Sequence, residues 1–372
     1  MSAGQKLHIR HHTGLSARGG AVGVALGLHR HLLERGHASE HTYEMAEHDD
    51  APPPTPPERA AQGLDPDAIL HLHSSGDWDA LLAHVPDHTP LVLTLHDCSL
   101  FTGGCPYPLD CAGWRSGCPE PCPRGFADCA ARCAARRGHL ARLAPALVSP
   151  SGWLAGLART VLEPSVTVIP NGVPDQPEGL AGSGARARAR QALGLAPAAR
   201  MVLFAAHGGE RAAYKAGDSW RGLWAAIKAR TPQAVGFAVG GDEAAREGDL
   251  LLWPYVEPER LRLLLAAADT FVYPTRADNH PLLILEAMAA GAPIASVATG
   301  GIPEQLDHGS TGLLAAPGDD HALVDAACAL LADPARARSM GNAARAAWAR
   351  GFTVERMGRD HERLYRTLTP DS

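Results

Sequence analysis

The 372-residue chain lacks several features that would assign its class outright. It has no excess of positive charge: 34 Lys and Arg stand against 40 Asp and Glu, a net charge of −6, so no nucleic-acid partner is expected. No apolar run approaches the roughly 20 residues of a membrane-spanning helix. The opening MSAGQKLHIR has no apolar h-region, so no signal peptide is expected. No internal repeat is evident, and no G-x-G-x-x-G suggests a dinucleotide site. These absences lead to the expectation of a cytoplasmic protein, with peripheral contact to the inner membrane face left open. The hydrophobic fraction of 45% is ordinary for a soluble globular protein, and the length suffices for two domains.

What is present is an alternation of strand and helix patterns. Residues 6–10 read as a strand, 11–20 as a loop, and 22–35 as a helix with Val22, Ala25, Leu26, Leu28, Leu32 and Leu33 at helical spacing. A proline-rich loop at 52–57 precedes strands at 68–73 and 91–95, with a helix at 78–85 between them. Helix 127–143 and strand 146–148 follow, then a helix expected to be capped by Ser149 with Pro150 at its first position. Strand 166–169 ends in the turn pair Asn171-Gly172. The following stretch is rich in Gly and Pro and reads as a linker. A second alternating series begins with strand 201–206 and runs to a helix at 352–368. The expected division is therefore 1–175, containing a cysteine-rich loop at 98–133, a linker at 176–198, a second domain at 199–351, and a closing helix at 352–372.

Residues 278–304, DNHPLLILEAMAAGAPIASVATGGIPE, carry the densest chemistry. Asp278 opens the stretch, Pro281 suits the first position of a helix, and Glu286 lies on that helix. Gly291 would end the helix, and 293–297 reads as a buried strand. The turn Thr299-Gly300-Gly301 leads to another helix. A loop carboxylate, a free helix N-terminus and a second carboxylate suit a nucleoside-diphosphate cradle: amides and the positive dipole end take phosphate, while carboxylates take sugar hydroxyls.

The stretch resembles the donor-site signature of retaining, family-4-type glycosyltransferases: two acidic residues with seven between them, then EAMAAGAP, then GGIPE. The first acid is Asp278, where that family usually has Glu. The resemblance implies an α/β fold of two doubly wound Rossmann-like domains facing across a cleft, the glycosyltransferase B architecture. It implies a nucleotide-diphosphate sugar donor held mainly by the second domain, and a saccharide or lipid-linked acceptor on the first. No catalytic cofactor is implied. Glu286 would hold ribose hydroxyls and Asp278 sugar hydroxyls near the reacting carbon. Leu282 would lie at the phosphate-facing helix start. The basic residues Arg211 and Lys215, in the loop after strand 201–206, would bind the donor phosphates. Gly19 and Gly20 are similar to the glycine pair that opens the family's first helix near the diphosphate.

The segment LHDCSLFTGGCPYPLDCAGWRSGCPEPCP resembles one subgroup, associated with extracellular polysaccharide building. It implies that His96, at the end of strand 91–95, faces the transferred sugar and the acceptor. Cys105, Cys111, Cys118 and Cys122 could close a tetrahedral zinc site that rigidifies the loop; free thiols and disulfides are the other readings. The last pair is spaced C-x3-C, where the subgroup has C-x2-C. Cys129 and Cys133 lie one helical turn apart and could complete a site. His71 and His73 would share one face of a strand, as a metal hydrolase requires, but the downstream ligands of such a motif are missing, which leaves them as structural or cleft-lining residues. Beside the transferase stand two other functions, a sugar-nucleotide epimerase and a non-catalytic sugar-nucleotide-binding protein.

Overall fold

The structure, a computed structural model, describes residues 6–162, 165–180, 184–206 and 213–368. It divides into two compact units: one holds 1–172 and 354–372, the other 173–353.

The first unit runs β1 (His8–Leu15), α1 (Gly20–Glu34), β2 (Ala38–Met45), β3 (Ile69–Leu72), α2 (Trp78–His84), β4 (Leu91–Thr94), α3 (Cys129–Leu143), β5 (Ala146–Ser149), α4 (Gly152–Arg159) and β6 (Val166–Val168). Its parallel sheet has the order β2-β1-β3-β4-β5-β6, so the chain changes direction across the sheet between β1 and β3. Ligands of such sheets bind beyond the carboxyl ends of the strands at that point. β3 and β4 are buried throughout, and successive side chains enter opposite layers. Leu70 and Leu72 join Leu81, Leu93 and Leu147 in an apolar core, whereas His71 and His73 point to the other layer.

The second unit contains α5 (Ala185–Ala192), β7 (Arg200–Ala205), α6 (Trp220–Arg230), β8 (Ala234–Gly241), β9 (Ala245–Glu247), β10 (Leu250–Pro254), α7 (Pro258–Ala267), β11 (Thr270–Tyr273), α8 (Leu282–Ala290), β12 (Ile294–Val297), α9 (Ile302–Gln305), β13 (Leu313–Ala315), α10 (Asp320–Ala332) and α11 (Pro334–Gly351). Its sheet order is β13-β12-β11-β7-β8-β10-β9, parallel except for the β9–β10 edge pair, and the switch point falls between β7 and β11. Apolar cores fill both sides: Ile284, Leu285 and Met288 of α8 on one, Leu223, Ile227, Leu323 and Ala327 of α6 and α10 on the other. The last helix, α12 (Val354–Leu368), belongs to the first unit. It packs on α1 there, and Glu362 accepts from His31 at 2.9 Å while Arg356 donates to the carbonyls of Pro170 and Asn171.

Several expectations are corrected. The linker expected over 176–198 is part of the second unit. Its helix α5 buries Ala189, and Arg186 and Arg190 bind Asp269 at 2.5 and 3.0 Å. Gly and Pro content alone did not register these arginine anchors. Ser149 ends β5 instead of capping a helix, because its backbone pairs with Val168 in the sheet; Ser151 is the cap, accepting from the Leu154 N–H at 3.1 Å. Pro281 sits one position before α8 with ψ 126°, its carbonyl taken by Gln305 at 3.2 Å. Strands β2 and β9 and helix α11 were not anticipated. The sequence of β2, ASEHTYEM, has one fully buried residue, so its alternation is faint. No helix among the described residues is long and apolar enough to cross a membrane.

Candidate functional site

In the second unit the sheet's switch point is lined by charge. Lys215 follows β7, Tyr273 ends β11, and Asp278 lies on the loop between β11 and α8. The Lys215 ammonium donates to Asp278 Oδ2 at 2.5 Å and to the Tyr273 hydroxyl at 2.8 Å. The Tyr273 hydroxyl donates to the same Oδ2 at 2.6 Å. The three groups form a closed triangle. Burial, then the Asp278 charge, pushes the phenol well above its ordinary value, so Tyr273 stays a neutral donor. The Tyr214 carbonyl positions the lysine loop by accepting from the N–H groups of Arg276 and Ala277, at 2.7 and 3.2 Å, and from the Thr275 hydroxyl at 3.0 Å.

Asp278 is held from behind by the glycine turn. Gly300 has φ 59°, and a Cβ there would lie 1.8 Å from the Asp278 carbonyl oxygen. That carbonyl also accepts from the Gly301 N–H at 3.2 Å. The turn therefore demands glycine for both conformation and space. With only 8% of its surface exposed, Asp278 turns one carboxylate oxygen toward Lys215 and Tyr273. The side chain engages the lysine and the tyrosine through Oδ2. Ala216, next to Lys215, occupies the left-handed region at φ 53°.

Helix α8 begins at Leu282 with no side-chain cap and no acidic residue in its first turn. Its leading amides are not satisfied by the helix itself, the arrangement that suits an anion. Glu286, on the second turn, is partly exposed, and burial raises its carboxyl to about 7, against the opposing pull of Arg262. Arg211 lies outside the described residues.

The first unit presents different chemistry at its own switch point. A cavity of about 330 Å³ is lined by Ala21, His73, Thr94, His96, Asp97 and Arg136, among others. Ala21 follows the Gly19–Gly20 start of α1, and Gly19 has φ 104°. His96 Nε2 lies 3.3 Å from His73 Nδ1, and His73 Nε2 lies 3.1 Å from His11 Nδ1. His71 bonds the Tyr365 hydroxyl at 2.7 Å and the Thr94 hydroxyl at 2.8 Å. Burial, then the His361 charge, lowers His96 to about 3. Burial likewise lowers His11, His71, His73 and His361. The cluster is therefore neutral near pH 7. On the cavity wall, Arg136 makes a two-point contact with Asp79 at 2.8 and 3.0 Å and donates to the Ser99 carbonyl at 2.7 Å.

His11, His71 and His73 bring ligand nitrogens within 4.8 Å of one another. Both nitrogens of His71 are already engaged by hydroxyls, and His11 and His73 bond each other, so the set is wired as a hydrogen-bonded core. Among the described residues Cys105, Cys111, Cys118 and Cys122 do not form a group of three with ligand atoms within 4.8 Å of one another. The Cys105 thiol donates to the Tyr107 carbonyl at 3.2 Å, and the Cys118 sulfur accepts from the Gly103 N–H at 3.3 Å. The loop folds back on α3 instead of around a common centre. Sequence reasoning missed Tyr273, Tyr214, His11 and Tyr365.

Residues 220–333 match the family described as Glycosyl transferases group 1. Over 108 residues the chain is 36% identical to N-acetyl-alpha-D-glucosaminyl L-malate synthase of Bacillus anthracis, covering 29% of this chain and 28% of that protein. The chain spans under half the length of the curated relatives it first matches. Solved structures match nearly end to end. Sucrose-phosphate synthase from Thermosynechococcus elongatus aligns at a TM-score of 0.72 and 20% identity, over 98% of this chain and 99% of that one. Anabaena HepE in complex with UDP-glucose aligns at 0.69 and 17%, over 97% and 100%. The chain thus has two parallel-sheet Rossmann-like domains of the glycosyltransferase B fold, and its segment 220–333 matches the model of group 1 glycosyltransferases.

Proposed function

We propose that the protein is a glycosyltransferase that moves a sugar from a nucleoside-diphosphate donor to a saccharide or lipid-linked acceptor, with retention at the anomeric carbon, in polysaccharide or glycoconjugate biosynthesis. The observation that carries this is the Lys215–Tyr273–Asp278 triangle beside the uncapped start of α8, at the switch point of a group 1 glycosyltransferase segment. Loss of a nucleoside diphosphate concentrates charge on phosphate, and a held ammonium plus free helix amides stabilise that charge without a metal. Lys215 has three donors; two are spent on Tyr273 and Asp278, leaving one for a phosphate oxygen. Glu286 takes the ribose hydroxyls, and its raised carboxyl suits a hydrogen-bonding role. Asp278 fixes Lys215 and reaches the donor sugar only through its remaining oxygen. The cavity at His96 takes the acceptor, with neutral imidazoles offering hydrogen bonds and no charge. Arg211 joins Lys215 on the phosphates.

The experiment is a thermal-shift panel of UDP, GDP, UDP-glucose and related donors, followed by mass spectrometry of products with saccharide acceptors. At least one donor should raise the melting temperature, and Lys215→Ala should abolish the rise. A full panel with no protection sinks the donor site. Protection with no transfer to any acceptor would point to a binding protein, and conversion of the donor without acceptor to an epimerase.

A further inference from the structure

Three imidazoles stand in a row across the sheet of the first unit. β1 and β3 pair with His11 opposite His71, and the His73 N–H donates to the His12 carbonyl at 3.0 Å. β4 lies on the far side of β3 from β1. His11 is on β1, His73 just past β3 and His96 just past β4. His11 Nδ1 lies 3.1 Å from His73 Nε2, and His73 Nδ1 lies 3.3 Å from His96 Nε2. His11 is fully buried and His73 is 1% exposed. The His71 ring, anchored by the Tyr365 and Thr94 hydroxyls, packs 3.9 Å from the His73 ring and holds the middle of the row.

A neutral imidazole carries one N–H and one lone pair, so in a row bonded ring to ring every proton points the same way. The far end decides which way. His11 Nε2 is buried and has no hydrogen-bond partner among the described residues. A buried N–H without an acceptor is the rarer defect in folded proteins, and an unmatched lone pair the more tolerated one. His361, in the same cluster, obeys this rule. Its Nδ1 lies 3.0 Å from the Met357 carbonyl, which can only accept, so the proton is on Nδ1 and the unpartnered Nε2 is a lone pair. The same choice at His11 puts its proton on Nδ1, toward His73 Nε2. His73 then carries its proton on Nδ1, toward His96 Nε2, and His96 carries its own on Nδ1.

We propose that His73, backed by His11, is a positioning residue that fixes His96 as the Nδ1–H tautomer, so that His96 meets the acceptor as a hydrogen-bond donor and not as a base. The His73 N–H fills His96 Nε2, which leaves no ring nitrogen to take a proton from a hydroxyl. The proton of an attacking hydroxyl therefore goes elsewhere than His96. This role at the acceptor rests on the glycosyltransferase reading and on its use of the His96 cavity; the tautomer itself does not.

The test is proton–nitrogen correlation spectroscopy of the histidine side chains in the full chain, near neutral pH and without ligands, with signals assigned by single substitution. The method separates Nδ1–H from Nε2–H rings, and His361 is the internal reference for the first. His11, His73 and His96 should all match His361. An Nε2–H ring, a doubly protonated ring or a tautomer mixture at His96 would overturn the proposal. His73→Leu removes the donor and should leave His96 as a mixture, with acceptor kcat/KM down about tenfold and donor KM unchanged. His73→Asn, whose amide nitrogen can take the place of Nδ1, should restore both. An unchanged His96 signal in His73→Leu removes the relay, and a shifted signal with unchanged acceptor kcat/KM removes the positioning role. Where a variant fails to fold, the wild-type spectrum still decides. Failure to transfer to any acceptor would sink the glycosyltransferase reading and the acceptor role together, while the spectrum judges the relay separately.

Discussion

At the switch point of its sheet, the first unit gathers imidazoles that burial keeps neutral. At the matching point, the second unit gathers an ammonium, a carboxylate and a phenol in contact. The backbone plan is the same: parallel strands, a loop after the first strand, and a helix N-terminus nearby. The difference is what each side has to offer a ligand. In the proposed transfer, a departing diphosphate would meet fixed positive charge in the second unit, a lysine locked by two partners. A hydroxylic acceptor would meet hydrogen-bonding groups in the first, among them His96, Thr94 and Ser99. A shared fold does not dictate shared chemistry; the residues at the strand ends do.

The contrast can be broken at its strongest point first. Replacing Lys215 by Ala should lower transfer about 10²–10³-fold and abolish protection by UDP, as expected when a preorganised charge is removed from a developing oxyanion. Steady-state rates and thermal shifts check this. The counterpart in the first unit, His96→Ala, should cost up to about 10²-fold in rate through lost acceptor positioning, while UDP protection stays intact. Equal loss of UDP protection in both variants would erase the division of labour. Tyr273→Phe removes one hydroxyl from the triangle and should cost about 1–3 kcal/mol, since it strips a buried hydrogen-bond partner; UDP affinity by calorimetry should weaken without loss of folding.

Proton linkage should separate the units in opposite directions. His96 falls from 6.5 to about 3 and His361 to about 4 in the folded state, so the unfolded chain binds protons first as pH drops. The first unit therefore loses stability as pH falls below about 6.5 and continues to lose it toward those folded values. Glu286 rises from 4.5 to about 7, so the folded state holds the proton longer. Its contribution weakens as pH rises from about 4.5 to 7 and is constant above that. Hydrogen exchange followed peptide by peptide across this range should show both trends, and Glu286→Gln should flatten only the second. The smallest effect is expected at Ala216, whose φ of 53° strains a residue bearing a Cβ. Ala216→Gly should stabilise by about 1 kcal/mol in a chemical melt.

The sequence determined the alternating α/β architecture, the buried strands, the core of α8 and the acidic and glycine signature around Asp278 and Glu286. Each follows from local periodicity and turn chemistry, which act over a few residues and so are written in the chain. The turn at Gly300 was legible in the same way, but its close approach to the Asp278 carbonyl was not. The tertiary structure decided what those residues touch. Asp278 and Lys215 are 63 positions apart, and only the pairing of β7 with β11 puts them at 2.5 Å. His71 and Tyr365 are 294 apart, and no spacing rule could join them before α12 packed beside α1. Side-chain partnership across a sheet is a property of closure in three dimensions, and it is there that Asp278 meets Lys215 and Tyr273.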